Sequence, residues 1–265
     1  MNEIIRTFVK SNYGFDVDNA SQEELSQVTE IDVKDRTMSE ENGEWDFSAF
    51  PKLRKIDCSF NPITLLNISS NKELEYIRFE GARGEIPHKI DFSNNLKLKK
   101  VSSGQDGVKE LDFTSNSELE DLTVFLSDTL RWLDVSNCTN LKKIVLKGVT
   151  IPFVNLTNCK KLESVDINYW NLYKNAHDEF GNGYPRPIIF VNEDFDEKVI
   201  DENTRSYSFY TYYLVRVSKG STEEIFLNKL LEMKEDMLDI PQDRYGRWVA
   251  LKHYELLNIY KSLKS

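Results

Sequence analysis

Three histidines and three cysteines are the side chains of this 265-residue chain best suited to acid–base, nucleophilic or metal chemistry, and their placement limits all three. His88, His177 and His253 stand far apart. No H-x-x-x-H or C-x-x-C spacing brings two ligands onto one turn, so no zinc site is expected. His253 falls between Val249 and Leu256 on an apolar helical stripe, the place of a packed or edge histidine. No G-x-G-x-x-G, Walker loop or G-x-S-x-G occurs, which leaves phosphate cradles and hydrolase elbows without support. Carboxylates are plentiful, yet a catalytic pair needs convergent geometry that no local spacing supplies. Cys138 and Cys159 hold equivalent places in successive copies of a repeat and can approach each other. They read either as a redox or metal pair or as small buried residues in a slot that Asn71, Asn95 and Asn116 fill elsewhere. Cys58 is an inward strand position. No catalytic residue, metal or cofactor is assigned, and the chain is read as non-enzymatic.

The elements that would position any site come from internal periodicity. Leu66-Asn-Ile-Ser, Ile90-Asp-Phe-Ser, Leu111-Asp-Phe-Thr, Leu133-Asp-Val-Ser and Val154-Asn-Leu-Thr share the pattern apolar, Asp/Asn, apolar, Ser/Thr, and Trp45-Asp-Phe-Ser is an earlier copy. The spacings are 21, 24, 21, 22 and 21 residues. Each copy precedes a second pattern, L-x-x-Φ-x-Φ with Φ apolar, as in Leu53-x-x-Ile56-x-Cys58 and Leu141-x-x-Ile144-x-Leu146. A weaker copy, Leu98-x-x-Val101-x-Ser103, ends on a polar residue. A unit of this length cannot bury its own apolar face, so neighbours must stack and share one core. The alternating stretch predicts a short strand with its Φ residues inward, and stacked strands predict a parallel sheet. The Asp/Asn and Ser/Thr of the other pattern predict tight turns on the returning side.

Residues 45–168 resemble the leucine-rich-repeat family, in the bacterial form whose units run L-D-V-S-x-N-x-x-L-x-x-L. Residues 133–144 carry the fullest copy. Leu25-x-x-Val28-Thr-Glu-Ile31-Asp-Val33 resembles the junction of cap and first strand in internalin-type members. The family's Asn after the strand survives at Asn61, whereas Ala82, Asp106, Ser127, Val149 and Trp170 stand near that place in other copies. The resemblance implies a short, irregular, right-handed α/β repeat solenoid with a parallel strand face, used for binding other proteins.

The flanks read as an N-terminal helical cap over 1–44 and an α+β segment over 174–265, with the solenoid at 45–173. In the first, Ile4, Ile5, Phe8 and Val9 lie at helical spacing and Ser21-x-x-Glu24 is a capping box. In the second, Ile188–Val191 and Ser206–Val217 read as strands. Ser221-x-x-Glu224 opens a helix with the stripe Phe226, Leu230, Met233, Met237, ended by Pro241, and Val249, Leu256, Tyr260 and Leu263 mark a last helix. This third is either the polar-backed cap that an open solenoid end requires or a small domain with a surface of its own.

Charge narrows the partner. With 34 basic and 44 acidic side chains the net charge is −10. No segment has the basic stripe of a phosphate-backbone binder, so nucleic acid is excluded as a partner. No apolar run reaches 18 residues, and no membrane partner is expected. The first ten residues lack the apolar core of a secretory signal, which predicts a cytoplasmic protein, or a secreted one if a leader preceded this start. What remains is the outward side of the strands: Lys55 and Asp57; Tyr76, Arg78 and Glu80; Lys100; Asp121, Thr123 and Phe125; Lys143, Val145 and Lys147; Asp166. Tyr76, Phe125 and Val145 are its apolar anchors, and the acidic balance suggests a basic protein partner. Three functions follow: an interaction module, in one form an intracellular inhibitor or immunity-type protein; a secreted or surface adhesin-like repeat; or an enzyme with its site in residues 174–265.

Overall fold

The computed structural model describes residues 2–35, 43–81, 90–104, 107–127, 129–149, 151, 153–168, 188–200, 213–239 and 247–264. The chain opens with α1 (Glu3–Tyr13), which buries Ile5 and Val9 and stops at Gly14 in the left-handed region. Asn2 caps its first turn, and Lys10 stands in its last turn near the negative end of the helix dipole. The short α2 (Gln22–Leu25) is opened by the predicted capping box, with Ser21 and Glu24 each satisfying the other's backbone N–H.

From there the chain coils. Front strands β1 (Glu30–Asp32), β3 (Lys55–Asp57), β5 (Tyr76–Arg78), β6 (Lys100–Gly104), β8 (Asp121–Phe125), β10 (Lys143–Lys147) and β12 (Ser164–Asn168) form one seven-stranded parallel sheet among the described residues. Returning strands β2 (Gly43–Asp46) and β4 (Ile63–Asn67) pair with each other. β7 (Glu110–Asp112), β9 (Trp132–Asp134), β11 (Phe153–Asn155), β13 (Ile188–Asn192) and β14 (Tyr213–Val217) make a five-stranded back sheet. This is a leucine-rich-repeat solenoid. Between the sheets runs a continuous core in which Leu53, Ile56, Leu74, Ile77, Leu119, Leu122, Leu141 and Ile144 are fully buried. Each such side chain contributes roughly 1.5–3 kcal/mol, which no unit collects until its neighbours cover it.

Polar residues fix the coil. In Φ-[DN]-Φ-[ST] the Asp or Asn Oδ1 accepts the backbone N–H two residues on, as in Asp91 with Ser93 (2.9 Å), Asp134 with Ser136 (2.9 Å) and Asn155 with Thr157 (3.1 Å). These Asx turns end each back strand. Four residues after the turn's acid or amide comes a buried slot that ties one coil to the one before. Asn71 Nδ2 donates to Phe47 and Phe50 carbonyls, Asn95 Nδ2 to Ile68 and Asn71, and Asn116 Nδ2 to Phe92 and Asn95, all at 2.9–3.1 Å. Cys138 and Cys159 continue the ladder as thiol donors to Phe113 O (3.4 Å) and Val135 O (3.2 Å). Asn61 makes a similar tie at the end of β3, donating to Val33, Cys58 and Ser59 carbonyls.

The ends are finished differently. At the first, the Tyr13 hydroxyl donates to Glu30 O (2.9 Å) and accepts from Glu30 N (3.2 Å), so α1 covers the open edge of β1. At the last, Ile200 bridges to Val165 after a 3-10 turn at Glu197–Val199. The described residues from 188 onward do more than close the core. Helices α3 (Thr222–Glu232), α4 (Lys234–Leu238) and α5 (Arg247–Lys264) lie against the outer face of the back sheet, forming a second core of Trp132, Phe153, Phe190, Val215, Phe226, Leu230, Met237 and Leu256. The helix expected to run unbroken toward Pro241 instead turns at Met233, which separates α3 from α4. That break lets Lys234 Nζ reach Glu110 Oε1 (2.6 Å) and Asp112 Oδ2 (3.2 Å) on β7 and lie 5.4 Å from the Trp132 ring. No helix of the described residues is long and apolar enough to cross a membrane.

Candidate functional site

The parallel register turns alternation within each strand into rows across the front face. One row runs Glu30, Lys55, Tyr76, Lys100, Asp121, Lys143, Ser164. Its neighbour runs Asp32, Asp57, Arg78, Ser102, Thr123, Val145, Asp166. A third pairs Phe125 with Lys147, and Glu80 follows two residues after Arg78. Every residue predicted for the face stands on these rows. Glu30 and Asp32 were not predicted for it. Their signal is the inward alternation of Ile31 and Val33, both fully buried, which sends the residues between them outward.

The face is laced by ion pairs. Lys100 meets Asp121 at 2.7 Å, Lys147 meets Asp166 at 2.9 Å, and Lys55 stands 3.4 Å from Glu30. Arg78 contacts Glu80 at 2.7 Å and stands 3.9 Å from Asp57. Exposed pairs of this sort are worth about 0–1 kcal/mol each to the fold, but they hold long side chains in set positions. Two predicted contacts are corrected. Glu80 is buried to 9% exposure, gripped by Arg78 and by the Ser102 hydroxyl, so it positions Arg78 and offers little to a partner. Val145 is 6% exposed, in register between Thr123 and Asp166, so it offers almost no surface to a partner. Tyr76 and Phe125 remain partly exposed. Burial, then the negative charge of Asp57, push the Tyr76 phenol up, so it stays a neutral donor.

One edge of the face carries backbone strain. Asp35, Phe60, Gly81, Leu126 and Gly148 all adopt positive φ at the ends of their front strands, and the amides of Asp35, Phe60, Gly81 and Leu126 donate to the next coil at 2.6–2.9 Å. Glycine meets this demand freely, whereas Phe60 (φ 60°) and Leu126 (φ 49°) pay about 1–2 kcal/mol each for it. At Gly81 a side chain would also strike the Phe60 ring.

The chemical candidates resolve as follows. Cys58, Cys138 and Cys159 are free, buried thiols. Burial pushes the Cys159 thiol up to about 12 and raises Cys138 and Cys58 as well, so none offers a thiolate at neutral pH. The slot reading of Cys138 and Cys159 is the one the hydrogen bonds support. His88 and His177 lie outside the described residues, as does the side chain of His253 on α5. Among the described residues no group of three or more His, Cys, Asp or Glu is placed to hold a metal ion.

No protein-family model matches the chain, and no curated protein matches it. Among solved structures it is similar to internalin C2 from Listeria monocytogenes, at 12% identity and TM-score 0.47 over 81% of this chain and 86% of that one. It is also similar to the functional domain of InlJ from Listeria monocytogenes, which includes a cysteine ladder, at 19% identity and TM-score 0.36 over 65% of this chain and 47% of that one. A third, an internalin (InlF) from Listeria monocytogenes, gives 15% identity and TM-score 0.32 over 80% of this chain and 68% of that one.

Proposed function

We propose that this protein is a non-catalytic interaction module that binds a protein partner through the strand face of the solenoid. One observation carries the reading. The described helices lie at the N-terminal end and on the back sheet, while most residues of the front rows are at least partly exposed, Tyr76 and Phe125 among side chains fixed by ion pairs. A surface ordered before binding loses little side-chain entropy on binding. Tyr and Arg are the residues that most often dominate such contacts. We further propose an inhibitor or immunity-type role in the cytoplasm, since buried thiols suit a reducing compartment.

The test is capture of a partner from the native cell's lysate with the wild-type chain and with a folded Arg78→Glu/Phe125→Ala double variant. A single stoichiometric protein retained by the wild type and lost with the variant supports the reading. Equal retention by both refutes it.

A further inference from the structure

The strand face is not uniform in charge. Over β6–β12 its carboxylates are matched, Asp121 by Lys100 and Asp166 by Lys147, and Lys143 adds a cation that has no ion pair among the described residues. Across β1, β3 and β5 the balance reverses. Four carboxylates, Glu30, Asp32, Asp57 and Glu80, share two cations, Lys55 and Arg78. Arg78 is held by the buried Glu80, leaving Asp57 at 3.9 Å, and Asp32 has no ion pair among the described residues. Register then sets Asp32 directly beside Asp57 on the adjacent strand, a separation of about 4.8 Å. Among the described residues the Asp57 carboxylate has only the 3.9 Å contact with Arg78 and a hydrogen bond from Ser59 N, and that of Asp32 only a hydrogen bond from Lys34 N, so the two carboxylates leave net negative charge on this end of the face.

A cleft of about 520 Å3 opens at this end, lined by Phe8, Asn12, Tyr13, Glu30 and Asp32. The rings of Phe8 and Tyr13 stand 6.5 Å apart at 56°, and Tyr13 is fixed by its two hydrogen bonds to Glu30. Tyr76 lies on the far side of the acidic pair, close enough that Asp57 and Asp32 both act on its phenol. Carboxylates between aromatic rings make a receptor for a cation, which gains from the negative ring faces as well as from the charges.

Resting on the reading that the strand face is the binding surface, we propose that its N-terminal end receives an arginine or lysine side chain from a basic segment of the protein partner. The cation sits against Asp32 and Asp57, with its stem along Tyr13 and Phe8. Its charge balances the acidic excess of this end, and the rest of the partner lies along Tyr76 toward Phe125.

The probe is a fluorescent hexa-arginine peptide, titrated by anisotropy at low salt against four forms of the full chain. These are the wild type, Asp32→Asn/Asp57→Asn, Glu232→Gln/Glu235→Gln and Arg78→Glu/Phe125→Ala. The second and third remove the same charge, one from the face and one from exposed helical positions behind it. The expected result is about a tenfold loss of affinity in Asp32→Asn/Asp57→Asn, with a melting temperature at or above that of the wild type, and little change in Glu232→Gln/Glu235→Gln. Equal losses in both charge-matched variants would mean that the peptide follows net charge, and would overturn the proposal. So would undiminished binding to Asp32→Asn/Asp57→Asn. If in that case the native partner is still lost with Arg78→Glu/Phe125→Ala, the strand-face reading stands and only the cation seat falls.

Discussion

Replacing Asn95 tests whether the buried ladder holds the coils together as hydrogen-bond donors or only as filler. Its Nδ2 donates to Ile68 O at 3.0 Å and Asn71 O at 2.9 Å. Each of those carbonyls also accepts a backbone N–H, from Asn71 and Leu74 respectively, so neither is orphaned when the amide goes. Two second hydrogen bonds at about 0.5–1.5 kcal/mol each are lost in Asn95→Ala. Against this, Asn95 Oδ1 is buried without a partner, and removing it returns about 1 kcal/mol. The expected net cost of Asn95→Ala is about 0–2 kcal/mol. Asn95→Cys should cost less than about 1 kcal/mol, because a thiol offers the weak donor seen at Cys138 and brings no orphan acceptor. Asn95→Asp is the decisive variant. It aims a carboxylate at two carbonyls in a buried slot, and an uncompensated buried charge costs about 3–5 kcal/mol. Burial will raise that carboxyl above its unfolded value, so the deficit is full at neutral pH and shrinks as pH falls through the raised value. Urea unfolding followed by the buried Trp45 and Trp132 reads all three, and at an m-value near 3 kcal/mol/M the Asp variant should lose about 1 M or more in midpoint. An Asp variant within about 0.5 kcal/mol of Ala at pH 7 would refute the donor account.

Asp134→Asn should stabilise the protein by about 1 kcal/mol at pH 7. Burial raises the Asp134 carboxyl, helped by nearby Asp112, while Asn155 shows that Asn makes the same turn. Because a raised carboxylate costs the fold stability above its folded pKa, the gain should fade as pH falls through that value, and a gain that grows toward acid would contradict it. Lys234→Met should cost about 2 kcal/mol by stripping Glu110 and Asp112 of a charged partner. Faster hydrogen exchange confined to α3–α5 is the expected signature, and exchange unchanged there would refute the docking role. Leu126→Gly should be close to neutral in thermal unfolding, within about 1 kcal/mol, since the left-handed strain it relieves roughly offsets what a 36% exposed leucine contributes. A loss of more than about 2 kcal/mol would show that the Leu126 side chain packs more than its exposure indicates.

The coil was legible because its two patterns recur in constant phase. One side chain in two is inward, so a single correct register places the whole face, and Tyr76, Arg78 and Phe125 follow at once. What did not follow was depth. Val145 has the same outward phase as Arg78 yet is only 6% exposed, and alternation within a strand says nothing of what covers a side chain from above. The docking of α3–α5 was also missed, although a trace of it exists. The residue before the repeat's first apolar position is Lys89 and Glu110 in two coils, then Trp132 and Phe153 in the next two. That switch, making adjacent residues both apolar, marks where the back sheet becomes buried on both sides. The strain at Phe60 and Leu126 has no local sequence signal beyond the glycines at the matching places in other coils.

The phenol of Tyr13 has a consequence for how copies of this chain meet. A parallel sheet that begins at β1 presents a row of unpaired amides and carbonyls, the template on which another molecule's strand can add, and then another. By both donating to and accepting from Glu30, one hydroxyl takes one pair of the bonding positions an eighth strand on that side would use, and α1 packs beside β1 where that strand would lie. An edge occupied in this way is a poorer template for end-to-end growth at the first strand. Tyr13→Phe keeps the ring and exposes the template, so it should leave the monomer folded while making it self-associate at high concentration.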